Sequence, residues 1–222
     1  MRTKDRTLQG SEGFTLIEIM VVIAIIAALI GAGSLMINIG IKKKAVMQTK
    51  SRLDSIGAAL EQLRSNDQLG RYPPTQIGKL VFQGFDGKKF GGQPNEDNVG
   101  IETVYVVFRL PLIAVMPQGV DDAIANTDDD KCSNPVGKLQ KPDLFEYVDS
   151  WDNPLVYISA SDYKDTAKVE QYVLGDGQHT KVKAVAKKNA TTGEYLRPDS
   201  FQLYSMGPDG VPDTDDDLVY GL

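Results

Sequence analysis

The sequence is poor in the residues that most reaction chemistry needs. Its 222 residues include one cysteine (Cys132), one histidine (His179) and one tryptophan (Trp151). A lone cysteine excludes an intrachain disulfide and a cysteine-cluster metal centre, and it leaves the redox compartment unreadable. His179 stands in "GDGQHT", a turn-like setting that suits a surface residue better than a general base. There is no Gly-x-Ser-x-Gly nucleophile elbow and no phosphate-cradling glycine loop. Basic charge is also short: 24 Lys and Arg against 30 Asp and Glu leave a net charge of -6. A phosphate-binding surface needs the opposite balance. Enzyme and nucleic-acid readings are therefore disfavoured.

What is present begins with "GFTLIEIMVVIAIIAALIGAG", residues 13–33. No charged side chain occurs from Ile19 to Ile37, which predicts a membrane-spanning helix. Arg2, Lys4 and Arg6 precede it, an arrangement that keeps the N-terminus cytoplasmic and sends the remainder outward. A secretory signal peptide is the rival, with "GAGS" at 31–34 as its cleavage site. The apolar stretch is longer than a typical signal core, and it runs into a second helical pattern. That pattern, residues 42–66, places Val46, Leu53, Ile56, Leu60 and Leu63 on one stripe. Gly31, Gly33 and Gly40 would let the helix bend or let neighbouring helices approach. Glu18, at the head of the apolar run, is the anomaly. An unpaired carboxylate there costs several kcal/mol in a hydrocarbon setting.

After the helix, "LGRYPPTQIGKL" (69–80) reads as a turn and docking segment, with Tyr72, Ile77 and Leu80 available to pack. Residues 82–100 and 117–145 read as loops. The stretch 102–115 reads as a buried strand or a short helix. Strands are expected within 154–160, 168–175, 181–187 and 200–207, each bounded by turn residues. In "DSWDNP", Asp149 and Asp152 would cap or close a turn beside a packing Trp151.

Acidity is concentrated in two runs. "GPDGVPDTDDDLVYG" holds Asp209, Asp213, Asp215, Asp216 and Asp217 within nine residues, between strand-like and apolar flanks. Oxygen-rich loops of this kind suit calcium, although the spacing is not an EF-hand. A solvated acidic segment is the alternative. For the run at 128–130 the solvated loop is the preferred expectation.

"GFTLIEIMVVIAIIAALI" resembles the N-terminal signature of type IV pilin-like proteins. Three further blocks narrow the resemblance to the major pseudopilin of type II secretion systems. "YPPTQIGKL" is similar to that family's Tyr-Pro-Thr…Gly-Leu segment, and "DSWDNPL" to its Asp-Pro-Trp-Gly-Asn-Pro-Tyr motif. "FQLYSMGPDG" is similar to the start of its calcium loop. Ser150, Asp152 and Leu155 depart from the second motif, and the blocks are pushed apart by insertions near 81–148 and 160–199.

The resemblance implies an α+β fold. A long N-terminal helix, membrane-spanning in its first half, would pack against a small antiparallel sheet head with long loop insertions. Residues 1–13 would be a cleaved leader, 14–41 the transmembrane and assembly helix, 42–66 its amphipathic half and 67–222 the periplasmic head. A prepilin peptidase would cut between Gly13 and Phe14, and the new Phe14 amine would be methylated. Asp209 aligns with the aspartate of the family's calcium loop, which implies calcium in the head. The implied role is a structural subunit, not an enzyme: a homopolymer that also meets minor pseudopilins and an inner-membrane secretion platform. The protein would be a single-pass component of the bacterial inner membrane. In such a fibre the Phe14 amine of one subunit could pair with Glu18 of the next; otherwise Glu18 lies hydrated and supports the helix terminus. A type IV pilus subunit and a membrane-anchored binding module are the alternative readings.

Overall fold

The computed structural model describes residues 13–65, 69–89, 92–93, 95–132, 142–165 and 171–222, without the side chains of residues 31–38, 65, 92 and 93. The expected leader lies outside the described residues except for Gly13, and so do the side chains around Gly31 and Gly33. Helix α1 runs Leu16–Ser65. The chain divides into two compact units, Met1–Lys44 and Ala45–Leu222, and α1 contributes to both.

In the first unit, the apolar residues of α1 from Leu16 to Ile30 are exposed; Phe14 and Leu16 are each about four-fifths accessible. Among the described residues no helix is long and apolar enough to cross a membrane. The expected span covers residues 31–38, whose side chains are not described.

The second unit is α+β: helix with small antiparallel sheets. Its strands are β1 (Val81–Phe82), β2 (Phe85–Asp86), β3 (Gly92–Gln93), β4 (Ile124–Ala125), β5 (Lys131–Cys132), β6 (Glu146–Tyr147), β7 (Val156–Ser159), β8 (Gln171–Val173), β9 (Lys181–Lys183), β10 (Phe201–Ser205) and β11 (Leu218–Val219). The main sheet has the order β11-β10-β7, antiparallel throughout, with Leu203 opposite Tyr157 and Tyr204 opposite Val219. The other strands form two-stranded pairs: β1-β2, β3-β5, β4-β6 and β8-β9. The four strand predictions hold, each within its expected bounds.

Four of the five residues in the amphipathic stripe of α1 do what its spacing requires, while Val46 is only half-buried. Leu53, Ile56, Leu60 and Leu63 are buried in one core with Tyr157, Phe201, Leu203 and Tyr204 of the main sheet. Fully burying each such side chain stabilises by about 1.5–3 kcal/mol. Gly57 on the same face leaves room for the Tyr220 ring, which stacks on Phe201 with centroids 5.8 Å apart. The docking segment also behaves as expected. Tyr157 donates its hydroxyl to the Pro73 carbonyl at 2.7 Å, and Thr75 Oγ1 accepts the Ser159 amide at 2.9 Å.

The stretch 102–115 resolves into helix. α2 spans Val99–Val107, and every side from Gly100 to Val107 is buried. The described residues of the expected insertion, 81–148, contribute to the core: Ile101, Val104, Phe108, Ile113, Val120 and Leu144 all lie in it. Burial on every side, which takes in even Glu102 and Thr103, erases the periodicity that would have identified the helix.

Candidate functional site

Three places carry the chemistry. The first is the start of α1. Thr15 is its cap: the Thr15 amide and hydroxyl each donate to Glu18 Oε2 at 2.8 Å, and the Glu18 amide donates to Thr15 Oγ1 at 3.3 Å. This reciprocal arrangement is a capping box, the Thr-x-x-Glu pattern already written in "TLIE". Glu18 thus has a local structural role beside any intermolecular one. Gly13 and Phe14 precede the helix, with Phe14 exposed.

The second place is the C-terminal loop, 207–217. Here the structure brings together only part of the expected calcium set. Lys187 Nζ lies 2.9 Å from Asp213 and 2.5 Å from Asp217, with only 11% of the lysine side chain accessible. It also lies over the Tyr204 ring, 4.5 Å from its centroid. Asp217 Oδ2 accepts the Asp213 amide as well, at 2.8 Å, while Asp217 Oδ1 is buried without a hydrogen-bond partner. Asp209 and Asp216 are engaged locally, accepting from the Val211 amide and the Thr214 hydroxyl. Asp215 is exposed. An ammonium group from the chain itself therefore sits between two of the five aspartates.

The turn that feeds this loop is tightly held. Asp149 accepts from the amides of Trp151 and Asn153 at 2.8 and 3.0 Å and from the Ser205 hydroxyl at 2.6 Å. Asp152 takes a left-handed conformation, φ 64°. Trp151 is half-buried, as a turn-packing residue would be.

The third place was not anticipated. Glu102 of α2, Asp128 and Glu146 of β6 each direct a carboxylate oxygen to within 4.8 Å of the other two. Asp130 joins them, its carboxylate facing that of Glu102. The expected solvated loop at 128–130 is corrected here. Asp130 is buried and Asp128 partly so, because α2 and β6 close over the run; Asp129 alone stays exposed. Asn98, fully buried at the head of α2 with φ 53°, helps to build the site. It donates to Glu146 Oε1 at 3.3 Å and to Thr127 Oγ1 at 2.8 Å. The Thr127 amide donates to Glu146 Oε2 at 3.0 Å, and the Asn95 side chain to Asp128 Oδ2 at 3.0 Å.

The electrostatics of this cluster are unbalanced. Among the described residues, no lysine, arginine or histidine pairs with any of the four carboxylates. Two unit charges less than 5 Å apart repel by about 3 kcal/mol even at an effective dielectric constant of 20. Were all four ionised, several such pairs would rival the whole stability of a domain, so the fold favours protonated carboxyls here. Burial, then the charge of Asp130, holds the Glu102 carboxyl well above the usual carboxylate range. Burial also raises Asp128, and burial with the Asp128 charge raises Glu146. Asp130 is pushed up to about 7 by burial first and Asp128 second. Sequence alone offered one clue, the alternation Asn126-Asp128-Asp130. Glu102 and Glu146 come from distant segments that only folding brings near.

Residues 9–34 match the prokaryotic N-terminal methylation motif. That motif is typical of type IV pilin-like proteins. Pilin-like proteins of this kind are structural, are processed by a prepilin peptidase and polymerise, and are anchored in the membrane facing the periplasm. The match contains Gly13, Phe14 and Glu18, so the capped start of α1 lies inside it. No curated protein and no solved structure matches the chain.

Proposed function

We propose that this chain is a structural subunit of a type II secretion pseudopilus. It is cut between Gly13 and Phe14, methylated on Phe14 and polymerised through the N-terminal part of α1 into a periplasmic fibre that drives protein export. The observation that carries this reading is the methylation motif set on an exposed apolar helix whose first turn holds Glu18. The pseudopilin-like blocks support the narrower assignment, since each occupies a structural junction. "YPPT" lies along β7, "DSWDNPL" makes the Asp149 turn, and "FQLYSMGPDG" leads from β10 into the C-terminal loop. Minor pseudopilins and an inner-membrane platform are the partners this role requires. Calcium in the C-terminal loop would have to displace Lys187, which already supplies the neutralising charge.

Mass spectrometry of the mature chain from its native membrane tests the processing step. A methylated Phe14 N-terminus is expected, and a start at Ser34 or later would refute it. Assembly is tested by comparing Thr15→Ala with Glu18→Gln. Losing the Thr15 cap costs about 1 kcal/mol, too little to abolish fibres. Glu18→Gln should abolish them if the Phe14 amine of an incoming subunit needs that charge. Equal behaviour of the two variants would reduce Glu18 to its capping role. Fibre length and location separate this reading from a type IV pilus subunit, which would build long surface filaments.

A further inference from the structure

We propose that Glu102, Asp128 and Glu146, with Asp130 beside Glu102, form a binding site for one divalent cation of the calcium class, tying α2, the 126–130 loop and β6 together. This site is separate from the C-terminal loop and does not rest on the assembly reading.

Three observations converge on it. The donor atoms of Glu102, Asp128 and Glu146 lie within 4.8 Å of one another. Oxygens bound to one calcium ion at 2.3–2.6 Å can lie no farther apart than about 5 Å. Glu102, 5% accessible, has a buried Oε1 with no hydrogen-bond donor, and Oδ1 of Asp130, 4% accessible, is in the same state. Buried polar oxygens without partners are rare in folded proteins; these two belong to carboxyls that face each other, so either a shared proton or a cation must lie between them, and we assign the cation. A cavity of about 200 Å³, lined by Gln76, Asn95, Glu96, Val99, Glu102 and Leu144, reaches Glu102 but none of the other three carboxylates.

The donor chemistry selects the ion. The three side chains are hard oxygen donors, and no cysteine or histidine belongs to the cluster. Carboxylates partly on a loop suit calcium, which accepts six to eight oxygens in flexible geometry. Magnesium keeps most of its water and takes one or two carboxylates. The remaining oxygens of the site are already oriented: Thr127 and Asn98 hold Glu146, and Asn95 holds Asp128. Protons are the competitors for these carboxylates, so calcium affinity should fall as pH is lowered.

The test uses the full-length chain in detergent, stripped of metal. Calcorimetric titration with calcium chloride should show one equivalent bound, at least tenfold more tightly than magnesium. Hydrogen exchange on the wild type should show calcium protecting residues 98–102, 126–130 and 146–147. The double variant Glu102→Gln, Asp128→Asn should lose at least tenfold in calcium affinity, whereas Asp213→Asn, Asp217→Asn should keep it. Absence of calcium binding at millimolar concentration would overturn the proposal. So would protection confined to residues 207–217, or binding lost in the second pair and kept in the first. Because the exchange measurement uses the wild type, it decides even if the first pair fails to fold.

Discussion

Lys187 shows how a single side chain can answer a charge problem that the sequence leaves open. Its ammonium is nearly buried between Asp213 and Asp217, so its removal strands the buried Asp217. Breaking a buried pair from one side costs about 3–5 kcal/mol. Lys187→Met should therefore lower stability by about 3 kcal/mol in urea titration, since half-exposed Asp213 loses little. In that variant, calcium should recover part of the loss through the freed aspartates; a loss under 1 kcal/mol would show that the pair contributes only as a surface contact. Asp149 makes a second case at this scale, with two effects opposed. Burial raises its carboxyl from 3.8 to about 6, although Ser205, Trp151 and Asn153 all donate to it. A carboxyl raised on folding adds stability below about pH 4 that is lost as the pH climbs through about 6. The difference in melting temperature between wild type and Asp149→Asn should therefore shrink from pH 4 to pH 6. A difference that grows would show that the hydrogen bonds outweigh burial.

At the scale of elements, α2 depends on close approach to the main sheet. A Cβ added at Gly100 would meet the Tyr157 carbonyl oxygen at 2.0 Å, and that atom belongs to the backbone of β7. The helix must then move off the sheet, so Gly100→Ala should destabilise by about 1–3 kcal/mol in chemical denaturation, despite alanine's better helix propensity. A neutral or stabilising result would mean that the contact is looser than 2.0 Å. The same element marks where sequence reading stopped. β7, β8, β9 and β10 were legible because short β-branched and aromatic runs are bounded by turn residues. The stripe Leu53, Ile56, Leu60, Leu63 was legible because one face of α1 is buried and the other is not. α2 is buried on all sides, and "ETVYVV" carries residues that favour strands, so tertiary packing decides its form. The capping box at Thr15 and Glu18 was fully written in four residues but hidden by the expectation of an intermolecular partner.

For the whole molecule, the division into Met1–Lys44 and Ala45–Leu222 has a direct consequence for handling. Among the described residues, every buried residue of α1 lies at or beyond Thr49, and the exposed apolar surface from Phe14 to Ile30 lies in the first unit. A chain beginning at Ala45 should stay monomeric without detergent and unfold in one cooperative transition; a non-cooperative melt would show that the first unit supports the core. The acidic cluster was legible only in its central run, because its other members are supplied by α2 and β6, and contiguity in sequence says nothing about such meetings. The C-terminal run was legible as a charge problem, but Lys187 reads in sequence as one more surface lysine. Its placement gives the two acidic regions different dependence on their surroundings. A cation carried on the chain has an effective concentration set by geometry, as any tethered partner does. Dilution and chelators leave it in place. The clasp at Asp213 and Asp217 should therefore hold equally in calcium-poor and calcium-rich media, and a response to medium calcium should arise at the α2 end of the fold.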